Sequence, residues 1–310
     1  MKVLITGASG FIGSHVLASL SRHGIAFVTT GRRRPANAST DTFLPADLLA
    51  LAGDGFDDLI AASGATHLLH LAWYAEHGHY WRSPMNLRWV DATVKLVEAF
   101  CQAGGSRVVV AGTCAEYAWT DAICDECRTS LLPATLYGVT KDATRRLVEA
   151  VCRESQVSCA WGRVFLPFGA GESSQRLVPS LIDALTGTRA LFAVDAAARR
   201  DFLHASDVAE AFVTLLESSE DGAFNIGSGD PVSIETVVRE LATQLQVDPV
   251  PMLALAGKRS GEPALLAGDI SCLRALGFAP RHTLHSALAQ ILADRRHANH
   301  IHRGVVLDET

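Results

Sequence analysis

The stretch ITGASGFIGSHV, Ile5 to Val16, sets Gly7, Gly10 and Gly13 between an apolar run and a segment with helical spacing. Glycines at such a turn let the backbone bend tightly and approach a pyrophosphate, whose charge the N-terminus of the next helix then meets. The spacing is GxxGxxG rather than GxGxxG. A purely structural glycine turn has the same residues. This one, however, follows the first strand, KVLITG, and opens the first helix, and that context points to dinucleotide binding.

Outward from this turn, β-branched runs alternate with helical-period segments: Val3 to Ile5, Ile12 to Arg22, Ala26 to Thr30, His67 to Leu71, Met85 to Ala103 and Val108 to Ala111. Strands separated by helices predict an α/β fold with a doubly wound parallel sheet. SCAWGRVF (Ser158 to Phe165) continues the series. Later, glycine- and proline-containing loops such as LPFGAGE and LAGKRSGEP interrupt short elements, as in a smaller C-terminal lobe. The predicted division is a dinucleotide-binding domain over residues 1–165 with returns near 199–227, a substrate-binding domain over 166–198 and 228–295, and a frayed tail over 296–310.

The second strand, AFVTTG, ends about 20 residues past the glycines, where an NAD-binding fold places an acid on the ribose hydroxyls. Here Arg32, Arg33 and Arg34 follow instead. A guanidinium fork suits a 2′-phosphate and offers a ribose diol no acceptor, which favours NADP(H), with NAD(H) the alternative. A solvated basic turn has the same composition. Asp47, in PADL, is placed to accept hydrogen bonds from an adenine amine.

The chain has 310 residues, 48% hydrophobic and 19% charged, enough for a large core. A net charge of −6 and a pI near 6.0 provide no basic face for a nucleic acid. No apolar run reaches the ~20 residues that span a bilayer, and the first strand begins directly after Met1, so neither a membrane span nor a signal peptide is expected and the location is cytoplasmic. Seven cysteines, an odd number scattered along the chain, read as reduced thiols. CDEC (Cys124 to Cys127) has the spacing of half a zinc knuckle, but no second CxxC follows, and no metal site is expected.

In ATLYGVTKDATRRL, Tyr137 and Lys141 stand four residues apart at the head of a helix and share one face. An ammonium beside a phenol favours the phenolate, making the tyrosine a general acid or base near neutral pH. An aromatic in the core with a lysine in water is the plainer reading of the spacing alone. The pair, however, follows the strand RVVVAGTCAEY, whose end brings Thr113 to the carboxyl edge of the sheet, where such folds bind ligands.

Taken together, TGASGFIGSH, HLAW (His70 to Trp73), SPMNLRWV, AGTCAEY, YGVTK, GRVFLPFGAGE and RRDFLHASDVAEA resemble, in order and over nearly the whole chain, the extended short-chain dehydrogenase/reductases, also called the NAD-dependent epimerase/dehydratase family. The resemblance implies a Rossmann domain with a small nucleotide-sugar domain over its cleft, and catalysis by Thr113, Tyr137 and Lys141. It implies cofactor contacts from Gly7, Gly10, Phe11, Ile12, Gly13, Arg32, Arg33, Asp47, Leu48, Leu71, Ala72, Trp73, Tyr137 and Lys141. Substrate contacts are implied for Trp73, Tyr74, Asn86, Cys114, Leu177, Arg200 and Arg259. Arg200 and Arg259 would clamp the diphosphate of a nucleoside-diphosphate sugar, although Arg259 reads equally well as a surface cation. Helices near Met85 to Ala103 and Tyr137 to Arg153 would form a four-helix bundle in a homodimer.

Departures from the family pattern guide the choice of reaction. Sugar 4,6-dehydratases have an acid pair directly after the threonine, whereas this chain has Cys114 and Ala115; Glu116 is one residue further along. Leu166 stands where many epimerases have an asparagine. With the arginine cluster, these features favour an NADP(H)-dependent reductase of a nucleotide-linked 4-keto (deoxy)sugar, with hydride transfer from nicotinamide C4. A nucleotide-sugar 4-epimerase using NAD is the alternative, and a catalytically silent cofactor-sensing or scaffold protein is the reading of another class. Trp73, Tyr74, His77, His79, Tyr80 and Trp81 either stack on a sugar face or pack among themselves as a loop.

Overall fold

The computed structural model describes residues 1–36, 38, 42–120, 122–255, 257 and 262–305. β1 (Lys2–Thr6) enters the glycine turn and α1 (Phe11–Arg22) leaves it; β2 (Ala26–Gly31), β3 (Phe43–Pro45), α2 (Gly55–Ser63), β4 (His67–His70), α3 (Met85–Gln102) and β5 (Arg107–Thr113) follow. A 3-10 turn (Cys114–Glu116) and β6 (Ile123–Cys124) lead to α4 (Leu136–Glu154) and β7 (Ser158–Val164). Next come β8 (Leu166–Phe168), α5 (Leu177–Leu185), β9 (Arg199–Arg200), β10 (Phe202–His204), α6 (Ala205–Glu217) and β11 (Gly222–Ile226). The chain ends with β12 (Val232–Ser233), α7 (Ile234–Leu245), α8 (Val250–Leu253), β13 (Leu265–Gly268), α9 (Ser271–Ala275) and α10 (Leu284–Val305).

Seven strands form one parallel sheet in the order β3-β2-β1-β4-β5-β7-β11, the doubly wound Rossmann arrangement expected from the alternating pattern. Because side chains alternate along a strand, each strand feeds both faces. Val3 and Ile5 of β1 and Val109 of β5 pack with Val16 and Leu20 of α1 and Phe212 of α6. Leu4, Val108, Val110 and Trp161 pack on the other side with Phe56 of α2, Leu96 and Phe100 of α3 and Val148 of α4. A third cluster joins Val178 and Leu181 of α5 to Val237 and Leu241 of α7 and Leu288 and Ile291 of α10.

Two smaller sheets bring late chain to the early part. β8 pairs with β10, and β6, in the loop after Thr113, pairs with β13 within the order β12-β9-β13-β6. The order of the large sheet reverses at β1, between β2 and β4, which opens a crevice at the carboxyl ends of the strands. One expectation differs in part: α10 continues past Arg295 to Val305, with no proline to interrupt it, and residues 306–310 lie outside the described residues. No described helix is long and apolar enough to cross a membrane.

Candidate active site

Two clefts meet at this crevice. One, of about 530 Å³, runs over the glycine turn; the other, of about 480 Å³, lies over the end of β5 and the start of α4. Ile12, Leu71, Trp73, Ala75, Ala111, Pro167 and Arg176 line both, so the two are continuous.

Backbone crowding explains the glycines of the first cleft. A Cβ on Gly13 would lie 2.2 Å from the Gly7 carbonyl oxygen, and one on Gly7, whose φ is +72°, would lie 2.7 Å from Ala72 N. The tight turn brings α1 to the cleft with neither a capping side chain nor an acid in its first turn. Its first N–H groups and positive dipole end therefore suit a pyrophosphate. This donor set fits a dinucleotide. Gly7, Gly10, Phe11, Ile12, Gly13, Arg32, Asp47, Leu48, Leu71, Ala72 and Trp73 all line this cleft. Arg33, by contrast, is exposed and not part of the lining. Asp47 also caps its own turn, its Oδ1 accepting from Leu49 N at 3.1 Å.

Thr113, Tyr137 and Lys141 come together in the second cleft. Gly138 makes this possible: a Cβ there would lie 2.3 Å from the Ala115 carbonyl oxygen, so only glycine lets α4 start against the turn that follows Thr113. Thr135 caps that start, accepting from Gly138 N at 3.1 Å. Burial pushes the Tyr137 phenol above its usual range, while a side-chain hydrogen bond with Thr113 pulls the other way.

This differs from the expected lowering of the phenol by Lys141. The lysine Nζ donates to the Ala111 carbonyl at 2.8 Å and lies 3.8 Å from the centroid of the Trp73 ring. Burial lowers Lys141 to about 7, with the Glu116 charge opposing that shift. The arrangement can therefore present a protonated phenol, steadied by a threonine hydroxyl, to an acceptor oxygen in the cleft.

The cleft is not served by Glu116. Its carboxylate turns into the sheet, accepting from Arg163 Nε at 2.8 Å, Trp161 Nε1 at 2.9 Å and Thr113 N at 2.8 Å. Arg163 in turn donates to Tyr117 Oη at 3.0 Å, and Tyr117 donates to Asn225 at 2.8 Å. The residue thus fixes the backbone of Thr113.

Among the substrate candidates, Trp73, Cys114 and Arg200 line the second cleft. Arg200 is already engaged, with Nη2 3.1 Å from Glu262 and Nη1 donating to Pro263 O at 2.9 Å. Asn86 is fully buried outside the lining: its Oδ1 accepts from Trp73 Nε1 at 2.8 Å, and its amide donates to Tyr80 O and Ser83 O. Tyr74 hydrogen-bonds Glu76 away from the lining, and Leu177 packs on the third cluster. Arg259 lies outside the described residues.

Of the aromatic loop, Tyr80 and Trp81 do reach the cleft, both packed edge-on against Tyr137 at 4.9 and 5.8 Å. Leu166 lines it as well. Sequence reading missed Trp119, Glu262 and Arg176; of these, Arg176 has no short motif to reveal it, since a loop between β8 and α5 delivers it. Among the described residues no group of three or more His, Cys, Asp or Glu is arranged to hold a metal, and Cys124 is buried while Cys127 is exposed.

The model of the NAD dependent epimerase/dehydratase family matches residues 3–227, from the first strand through β11. The chain belongs to this family. It is thus an NAD(P)-dependent enzyme of the extended short-chain dehydrogenase/reductases, in which relatives act as epimerases and oxidoreductases. It is 30% identical to the UDP-glucose 4-epimerase of Corynebacterium glutamicum, over 96% of this chain and 98% of the relative. It is 27% identical to the dTDP-6-deoxy-L-talose 4-dehydrogenase (NAD(+)) of Aggregatibacter actinomycetemcomitans, over 79% and 90%. Among solved structures, MoeE5 in complex with UDP-glucuronic acid and NAD superposes with a TM-score of 0.82 at 31% identity, covering 96% of this chain and 99% of that one.

Proposed function

We propose that this family member is an NADP(H)-dependent reductase of a nucleoside-diphosphate-linked 4-keto sugar, with a deoxysugar as the favoured substrate class. The observation that carries the cofactor choice is Arg32, which lines the cofactor cleft directly after β2 ends at Gly31, the place where a ribose-binding carboxylate belongs. Bound there, the nicotinamide supplies a hydride at C4. Tyr137 donates the proton to the substrate oxygen, Thr113 holds that oxygen, and Lys141 holds the cofactor ribose. Burial keeps the Tyr137 phenol protonated, the form that can hand a proton to the oxygen of a carbonyl being reduced.

Residues 1–165 with the returns near 199–227 carry the cofactor in this reading, and 166–198 with 228–295 carry the sugar nucleotide. Tyr80, Trp81, Trp119, Phe165 and Leu166 give the second cleft an apolar wall, which suits the methyl group of a 6-deoxysugar. Cys114 and Ala115 leave no acid and base for dehydration. Exposed Leu87 on α3 and Val139 and Leu147 on α4 support a homodimer through a four-helix bundle, working in the cytoplasm.

Incubation with a panel of nucleotide-linked 4-keto sugars tests the reading: stoichiometric NADPH consumption is the expected result, and no turnover across the panel overturns it. A second reading, a nucleotide-sugar 4-epimerase with NAD, is favoured by the overall similarity to the Corynebacterium epimerase. It predicts sugar interconversion without net cofactor change and NAD retained on purification.

A further inference from the structure

We propose that Trp73 is a positioning residue for Lys141: its indole face, fixed by Asn86, seats the buried ammonium in its charged form and so sets the pH above which the site loses its cation. The proposal rests on the reading of Lys141 as the cation of this site.

Lys141 is 3% exposed, yet among the described residues no carboxylate forms an ion pair with it. So little of the side chain meets solvent that its ammonium, without compensation, is strongly disfavoured. Two contacts compensate. One is the 2.8 Å hydrogen bond to the Ala111 carbonyl, and the other is the Trp73 ring, whose centroid lies 3.8 Å from Nζ. The next ring, Trp161, is 5.9 Å away and correspondingly weaker. Tryptophan offers the best of the aromatic faces to a cation, and the attraction grows when water is absent.

The ring cannot simply turn away. Its Nε1 donates to Asn86 Oδ1 at 2.8 Å, and the Asn86 amide spends its two donors on Tyr80 O and Ser83 O. Trp89 stacks on Trp73 at 6.2 Å. Asn86 is therefore the clamp, Trp73 the seat and Lys141 the group seated.

Other charged and titratable groups do not replace this seat. Glu116, in the turn after β5, favours the ammonium at longer range but is itself committed to Arg163 of β7. His70 of β4 is buried and neutral, held between Thr6 and Thr93. Tyr137, one turn earlier on α4, and Cys114 after β5 are both pushed toward their neutral forms by burial.

The chain contains four lysines, Lys2, Lys95, Lys141 and Lys258, so carbon-13 labelling at lysine Cε gives a spectrum of four signals. Lys141→Met assigns the fourth. In the full-length wild type, the Lys141 signal is expected to titrate well below that of Lys95, which is exposed. In Trp73→Leu its midpoint should fall by about one further pH unit, the equivalent of a desolvated cation–π contact. Trp73→Phe, which keeps a ring but loses the Asn86 bond, should show a smaller fall in the same direction.

An unchanged midpoint in folded Trp73→Leu overturns the proposal. If that variant does not fold, an unchanged midpoint in Trp73→Phe does so. Neither measurement uses a sugar or a cofactor, so failure of the proposed reaction is read separately. In parallel, the affinity for NADPH, measured by calorimetry across pH, should weaken as Lys141 deprotonates. A shifted midpoint without that weakening refutes the cofactor-anchor reading and leaves the seat standing.

Discussion

Glu116 Oε2 lies 2.8 Å from Arg163 Nε, with neither side chain exposed. The carboxylate nearest to Thr113 in sequence is thereby withdrawn from chemistry. Glu116→Ala would strand a buried guanidinium, and the expected loss is about 3–5 kcal/mol of stability. Denaturant melts of the variant check this. A variant of wild-type stability that had lost turnover alone would instead make Glu116 a reacting group.

Removing the Tyr137 hydroxyl should leave the fold and the cofactor cleft intact. Tyr137→Phe is expected to lower kcat by about 10²–10⁴-fold, the usual span for a lost general acid, with NADPH affinity within about threefold of wild type. Steady-state kinetics and calorimetry together read both quantities. Thr113→Val, which loses the partner of that phenol, should lower kcat less and shift the pH profile.

Arg32 lines the cofactor cleft and Arg33 does not. Arg32→Asp should therefore weaken NADPH by about 10–100-fold, the range of a lost charge-assisted hydrogen bond, and improve NADH. Arg33→Ala should change either by only a few-fold. Equal effects at the two positions would place the 2′-phosphate elsewhere.

Arg176, half-buried where the two clefts meet, forms no side-chain hydrogen bond or ion pair among the described residues. A guanidinium so placed is available to a ligand. Arg176→Ala is expected to raise the KM for the sugar nucleotide about tenfold or more while thermal stability stays within about 0.5 kcal/mol.

Two buried histidines should cost the fold stability in acid. His70 is held near 3 and His204 near 4, both by burial, below the ordinary 6.5. The unfolded chain then binds more protons between those limits, so stability is full above pH 6.5 and falls as pH drops, by about 1.4 kcal/mol per unit per histidine at most. Glu172, raised by burial to about 7 from 4.5, acts in the opposite sense over pH 4.5 to 7. Glu126 and Asp201, also raised by burial, act with Glu172. The histidine share is read by comparison: between pH 7 and pH 5 the Tm of His70→Asn should fall less, or rise more, than that of the wild type.

The sheet and the cofactor turn were legible because each rests on local rules. Period-2 apolar runs mark strands, and glycines at Gly7 and Gly13 are demanded by backbone contact. Spacing and strand order were enough to bring Thr113, Tyr137 and Lys141 to one cleft. Asn86, Tyr74 and Leu177 lie outside the lining of both clefts, because family position does not say which way a side chain points in this chain. Asn86 turns to Trp73, a residue whose partner is set by a loop 13 positions earlier. The ionisation of Tyr137 was misjudged for a related reason: helix spacing brings Lys141 to the same face, but the competing pull of Ala111 comes from β5 and that of Trp73 from the loop after β4. Arg176 and Trp119 reach the cleft on loops, whose paths carry no periodic signal.

The outer strand β11 is drawn from residues 222–226 and pairs with β7, made some 60 residues sooner. During synthesis, therefore, β7 emerges with one flank bare and stays so until the segment through α6 and β11 has left the ribosome. An unpaired edge of that kind invites pairing with neighbouring chains. Slower translation would lengthen the time that this edge stays bare.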